Sequence, residues 1–184
     1  MLFSLLYQCL FITDSDFRVE PQLCQSFTVS EDLTTYTFTL AQTTYADGTA
    51  LTAVDVVESL KEAANSDYYE GRFEHIGKIS EIEGNRVKIT TTTPMEDLPI
   101  LLDIPIVKYD QTEADMPVGT GPYVLENTDA GLTLTLRDNW WCTAELPVAD
   151  QSILLMVGEN PTHVRDEFEF GEVAVSTADP GAAS

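Results

Sequence analysis

The chain has 184 residues, enough for one domain or two small ones with a real core, and its 43% hydrophobic and 22% charged residues exclude a disordered polypeptide. Nine Lys and Arg face thirty-one Asp and Glu, a formal charge of −22 that repels nucleic-acid phosphates and anionic lipid surfaces. Such a chain draws in cationic or zwitterionic solutes at long range, although solubility alone also accounts for the acidity.

From the N-terminus, Met1 to Ile12 is an apolar run that imitates the core of a signal peptide. No basic residue precedes it and no small-residue cleavage site follows, and Gln8 before Cys9 spoils a lipoprotein-type processing site. It is too short to span a bilayer. The run therefore reads as a buried segment of the folded domain, with any export signal outside this chain. Cys9, Cys24 and Cys142 form no CxxC pair, and their number does not identify a redox compartment.

Thr35–Leu40 alternates, with Tyr36, Phe38 and Leu40 on one face and threonines on the other, which predicts a half-buried strand. Asp47-Gly48 marks a turn. Thr52 with Asp55 three residues on predicts a capped helix over 52–64, with Val56, Val57 and Leu60 as its apolar stripe. Two strands, 79–83 and 86–90, flank Gly84-Asn85, a pair that tolerates the positive φ of a tight hairpin. Leu98–Leu102 reads as a short helix, and 123–126 with 132–136 as a second hairpin. Ile153–Val157 predicts a strand buried on both faces. A helix over 163–170, a strand over 173–175 and a frayed tail over 179–184 complete the chain. The fold class is mixed α/β, strand-rich, with hairpins outnumbering βαβ units and no internal repeat.

Catalytic chemistry finds little support. The two histidines, His75 and His163, accompany no nucleophile elbow, and His75 reads as a structural or surface residue. Asp166, Glu167 and Glu169 form the most ligand-like acidic group, yet they fit the solvated face of a helix more simply than a metal site. Gly119-Thr120-Gly121 is too short for a phosphate loop; it is either a tight turn or a hinge where backbone approaches a ligand. Tyr68, Tyr69 and Phe73 are candidates for lining a solute cleft, whereas Trp140 and Trp141 read as packing anchors.

Several segments resemble one family in order along the chain. Leu6 to Phe11 is similar to the "YEGL" segment of family 5 extracellular solute-binding proteins, and Glu20 to Leu23 resembles "PALA". Phe27–Leu40 resembles "W-x-V-S-x-D-G-x-T-Y-T-F-x-L", and Tyr45–Leu60 resembles "F-x-D-G-x-P-L-T-A-E-D-V-V-x-S-L". Pro117–Tyr123 matches "P-V-G-T-G-P-Y" residue for residue, Arg137–Trp141 stands where "R-N-P-x-Y-W" is expected, and Phe170–Val173 resembles "G-E-(V/I)-D". Cys9 and Leu33 depart from glycines of the pattern, and Ala46 from a common His.

The resemblance implies part of a type II periplasmic-binding-protein fold: 1–30 opening lobe I, 31–116 an inserted subdomain, 117–178 a return to lobe I, and the second lobe elsewhere. It implies a receptor that captures peptides or a related small solute for the membrane permease of an ABC transporter, outside the cell or in the periplasm. No catalysis, cofactor, metal, nucleic acid or direct membrane insertion is expected. It places Tyr69, Arg72, Phe73, Ile104 and Lys108 toward the solute, and Gly119, Thr120 and Gly121 at a hinge. The alternative is a solute-sensing domain of a helix-turn-helix regulator.

Overall fold

The computed structural model describes residues 2–14, 16, 18–69, 71–111, 117–129, 131–138, 140–142 and 152–155. These residues group into two compact units, one within 1–124 and 136–149, the other within 125–135 and 150–184.

The first unit is organised by a four-stranded antiparallel sheet made from β3 (Cys24–Val29), β4 (Thr35–Leu40), β5 (Ile76–Ile82) and β6 (Arg86–Thr91), in the order β3-β4-β6-β5. β4 lies inside the sheet, and its period-two pattern does what the sequence predicts: Tyr36, Phe38 and Leu40 are all buried. Tyr36 pairs with Ile89 and Phe38 with Val87, so the apolar faces of β4 and β6 coincide. Phe11 meets the edge of Phe38 with ring centroids 5.8 Å apart.

The helix expected over 52–64 is α2 (Ala53–Asn65), which packs on β5 and β6 through Val56, Val57, Leu60 and Ala63. Thr52 and Asp55 form the capping box, with Asp55 Oδ2 accepting from the Thr52 amide at 2.8 Å and hydroxyl at 2.7 Å. The hairpin turn contributes a further cap. Gly84 and Asn85 both have positive φ, and Asn85 Oδ1 accepts the Ala53 amide at 2.7 Å while its Nδ2 donates to the Leu51 carbonyl at 3.2 Å. One asparagine thus turns a hairpin and satisfies an orphan donor of the helix.

The N-terminal apolar run is a buried part of this unit, as expected. It forms α1 (Leu2–Leu6) and β1 (Phe11–Thr13), which pairs with β2 (Val19–Pro21), and buries Leu6, Tyr7, Leu10 and Phe11. Leu98–Leu102 is a 3-10 helix with Leu98 and Leu102 fully buried. Leu33 occupies the left-handed region at φ 56, a conformation that glycine adopts freely and that costs a residue with a Cβ.

The second unit contains most of β7 (Tyr123–Thr128) and β8 (Gly131–Leu136), with β9 (Ser152–Leu154) beside β8. The predicted second hairpin is present, and Gly131 at φ 122 closes its turn. β9 corrects the expectation of a strand buried on both faces: Ser152 and Leu154 are exposed and Ile153 is half-buried. Side chains are buried only where another layer packs over their face of the sheet, and an apolar run does not by itself supply that layer. The expected elements over 163–170 and 173–175 and the tail lie outside the described residues.

Candidate functional site

The C-terminal end of α2 turns sharply, and that turn builds the site. Asp67–Tyr69 is a 3-10 turn whose Tyr69 amide donates to the Ser66 carbonyl at 3.1 Å; the Arg72 amide then donates to the Tyr69 carbonyl at 3.0 Å. These tight turns bring Tyr69 and Arg72 onto one surface. The Arg72 guanidinium lies 5.6 Å from the centre of the Tyr69 ring, pairs with Asp103 and donates to the Ile100 carbonyl at 3.2 Å. Tyr68 projects outward, 85% exposed, with its ring edge-on to Tyr69 at 4.8 Å.

The segment after Leu102 runs antiparallel to α2. Ile104 lies near the helix C-terminus, the Val107 amide donates to Ser59 Oγ at 3.1 Å, and the Tyr109 amide donates to Asp55 Oδ1 at 2.9 Å near the helix N-terminus. Between the helix and this segment lies an open pocket of about 290 Å³, walled by Ala63, Tyr69, Ile104, Pro105 and Val107, with Ser59, Ser66 and the exposed Glu62 also lining it. Its walls are mainly apolar.

Of the five residues expected to face a solute, Tyr69 and Ile104 therefore line one pocket, and the Arg72 guanidinium lies 5.6 Å from the centre of the Tyr69 ring beside it. Phe73 is buried in the core behind them. Lys108 is far along the segment, bonded to Asp47 at 2.8 Å; thirteen residues of helix, about 20 Å, separate the two ends of α2. Arg72 and Lys108 thus do not converge. Burial raises the Asp47 carboxyl, but hydrogen bonds from Lys108 and Thr49 outweigh it and leave the group lowered to about 2. The Lys108 ammonium is raised by the same bond to Asp47.

Cys9 adjoins this site. Burial, then the Asp103 charge, push its thiol up to about 12 against the opposing pull of Arg72, so it stays protonated and unreactive at neutral pH. Cys24 is likewise raised, to about 11, by burial, and its Sγ donates to the Ser26 carbonyl at 3.3 Å. His75 is exposed on the turn before β5, as its surface reading expected.

Gly119, Thr120 and Gly121 form a second constellation, held by close packing. A Cβ on Gly119 would collide with the Leu6 carbonyl and one on Gly121 with the Leu5 carbonyl. Glycine is needed here for the approach of two backbones. The Gly121 amide donates to Leu6 O at 2.9 Å, and Trp140 Nε1 donates to Thr120 O at 2.9 Å, which makes Trp140 the packing anchor it was expected to be. Trp141 Nε1 donates to Gln8 Oε1 at 3.0 Å, and its ring remains 39% exposed.

Arg137 binds this constellation together. Its guanidinium reaches the carbonyls of Thr120 and Gly121 at 3.3 and 3.1 Å, those of Thr44 and Tyr45 at 3.1 and 2.8 Å, and Thr44 Oγ1 at 3.2 Å. The sequence marks Arg137 only as part of a motif. Its role depends on contacts more than ninety residues away, and no local pattern carries that information. Asp103 is similar: it lies in a stretch expected to face the solute, but nothing in the sequence marks it as the partner of Arg72.

Residues 18–184 match the family model of bacterial extracellular solute-binding proteins, family 5 (middle region). The chain belongs to this family. The glutathione-binding protein GsiB of Salmonella typhi is 35% identical over 133 residues, which cover 65% of this chain and 26% of that protein. The GsiB of Escherichia coli K12 is 32% identical over the same length. The chain thus spans about a quarter of the length of the curated relatives it matches. Among solved structures, the periplasmic binding protein AgaA of A. tumefaciens R10, in complex with agropinic acid, superposes with a TM-score of 0.78 at 23% identity. That match covers 94% of this chain and 38% of AgaA. NikA of Brucella suis, in complex with Fe(III)-EDTA, gives 0.76 at 22% identity over 94% of this chain and 37% of NikA. The fold is that of the type II periplasmic binding proteins, mixed α/β as the sequence pattern implied.

Proposed function

We propose that the chain is part of the substrate-binding component of an ABC importer, which captures a peptide or related small solute in a cleft between two lobes and delivers it to a membrane permease. The observation that carries this reading is the family match over residues 18–184, which encloses both the Tyr69–Arg72 surface and the Gly119–Gly121 turn. Relatives named as binding proteins support capture without a bond-making step, and the extracellular description of the family favours a receptor outside the cell over a sensor within it. Among the described residues no helix is long and apolar enough to cross a membrane.

In this reading Tyr69, Arg72 and Ile104 meet the solute, Phe73 stiffens them from behind, and Lys108 acts at the far end of the same segment. Gly119, Thr120 and Gly121 form the anchored side of the join between subdomains, about which the lobes close. The proposed lobe I comprises 1–30 and 117–178, with 31–116 inserted; the four-stranded sheet takes strands from both sides of residue 30.

Because the chain spans 26% of its glutathione-binding relative, the test belongs on the full-length polypeptide. Native mass spectrometry is expected to show a co-purified solute, and peptide pools are expected to raise the melting temperature. The 184-residue chain alone is expected to bind at least about a hundredfold more weakly, since half of a two-lobed cleft forfeits enclosure. Absence of a co-purified mass and of a thermal shift with peptide, sugar and metal pools overturns the reading.

A further inference from the structure

The charges around the Tyr69 surface are disposed in a way the family assignment does not dictate. Both cations expected to meet a solute are already engaged. Arg72 is paired with Asp103 and bonded to the Ile100 carbonyl, and Lys108 is paired with Asp47. A solute carboxylate approaching either would have to displace a partner carboxylate held within the same chain. Among the described residues the one charged group lining the pocket beside Tyr69 is an acid, Glu62, and the rest of its wall is mainly apolar (Ala63, Tyr69, Ile104, Pro105 and Val107) with two serine hydroxyls, Ser59 and Ser66.

The aromatic pair points the same way. The ring of Tyr69 meets the Arg72 guanidinium at 5.6 Å and the Tyr68 ring edge-on at 4.8 Å. Tyr68 is 85% exposed although it is a large aromatic, so an open ring face stands beside the pocket, braced by its neighbour. Such a face attracts a cation or the polarised methylenes next to one. A lysine- or arginine-type group matches each part of the surface, because its aliphatic stem covers apolar wall while its charged head stays at the wet rim. The excess of thirty-one acids over nine bases concentrates such groups near the chain before contact.

We propose that this surface selects a solute carrying a basic side chain, with the stem against the Tyr69–Ile104 wall, the cation near Glu62, and Tyr68 as a specificity-determining residue. The proposal rests on the receptor reading above and assigns the chemistry its solute presents to this lobe. It separates the chain from relatives named for glutathione, a tripeptide with two carboxylates and one ammonium.

The test is calorimetric titration of the full-length polypeptide with Ala-Lys-Ala, Ala-Leu-Ala, Ala-Glu-Ala and glutathione. Ala-Lys-Ala is expected to bind about tenfold or more tighter than Ala-Glu-Ala, with the gap narrowing as salt rises. Glu62→Gln is expected to weaken Ala-Lys-Ala about threefold and leave Ala-Leu-Ala unchanged, and Tyr68→Ala to weaken Ala-Lys-Ala about fivefold. Both side chains are exposed, and unchanged melting temperatures verify that the variants fold. Ala-Glu-Ala or glutathione binding as tightly as Ala-Lys-Ala overturns the inference and leaves the receptor reading standing. So does a Lys preference that neither variant alters. Failure of all four to bind overturns the inference; if the solute pools also produce no thermal shift, the receptor reading falls with it.

Discussion

Two arginines in the first unit show how one residue type serves opposite ends. Arg137 donates to four backbone carbonyls and a hydroxyl, and the segments it joins are 16 to 93 residues away in sequence. Arg72 instead lies 5.6 Å from the centre of a tyrosine ring at the surface, pairs with one half-exposed carboxylate and donates to one backbone carbonyl, that of Ile100. The first is used as a fork of donors, where geometry matters more than charge; the second is a charge neutralised in place beside an aromatic ring. Backbone carbonyls cannot rearrange without moving the chain, so the Arg137 region is rigid by construction. The Arg72 region rests mainly on side chains, with a single backbone carbonyl, and these can exchange partners with water or a solute at small cost. Anchoring and the proposed solute recognition thereby fall to two different sites of the same unit.

The largest effect that tests this division is at Gly119. Gly119→Ala places a methyl against the Leu6 carbonyl, which belongs to backbone and cannot swing aside. A loss of about 3 kcal/mol in urea unfolding is expected, and near-wild-type stability would show that the two backbones are not in tight contact. Arg137→Met comes next, at about 2 kcal/mol, because it strips donors from several partly buried carbonyls at once. Arg137→Lys should recover little, since an ammonium cannot reproduce the fork. By contrast Arg72→Met should cost less than about 1 kcal/mol, because Asp103 is 39% exposed and water replaces the guanidinium. Equal losses at the two arginines would erase the distinction.

The smallest effect concerns the Lys108–Asp47 pair, which sits at neither arginine. The Asp47 carboxyl is lowered from its ordinary 3.8 to about 2 in the folded chain, so its contribution is fully present above pH 4 and is lost as the pH falls towards 2. With Asp47 a third exposed, that contribution is under about 1 kcal/mol. Asp47→Asn should flatten the dependence of stability on pH between about 2 and 4 by that amount, measured by acid-dependent denaturation. An unchanged acid profile would mean the pair is fully screened by solvent.

The local elements of the first unit were legible because each rests on short-range physics. The alternation of Tyr36, Phe38 and Leu40, the Thr52–Asp55 cap and the Gly84-Asn85 turn all act within six residues, and each appears where its pattern places it. The apolar N-terminus was also readable as buried, since it had a core's composition without a signal peptide's flanks. β9 departs from its pattern: an apolar run reports hydrophobicity, whereas burial depends on what packs over the faces of the strand. The ordered motifs, above all Pro117–Tyr123, were enough to indicate the family.

What the sequence left open is pairing across distance. Whether Arg72 faces a solute unaccompanied or with Asp103, whether Lys108 stands near Arg72 or at the other end of α2, and whether Asn85 only turns a hairpin or also caps a helix are questions of proximity among residues up to sixty-one positions apart. Residue types set which bonds are possible, and local periodicity sets which elements form. Tertiary packing decides which charges meet, because electrostatic and hydrogen-bond energies fall off within a few ångströms while chain separation carries no such information. For this protein the sequence determined the family and the framework. The folded chain determined that its two expected solute-facing cations are already paired.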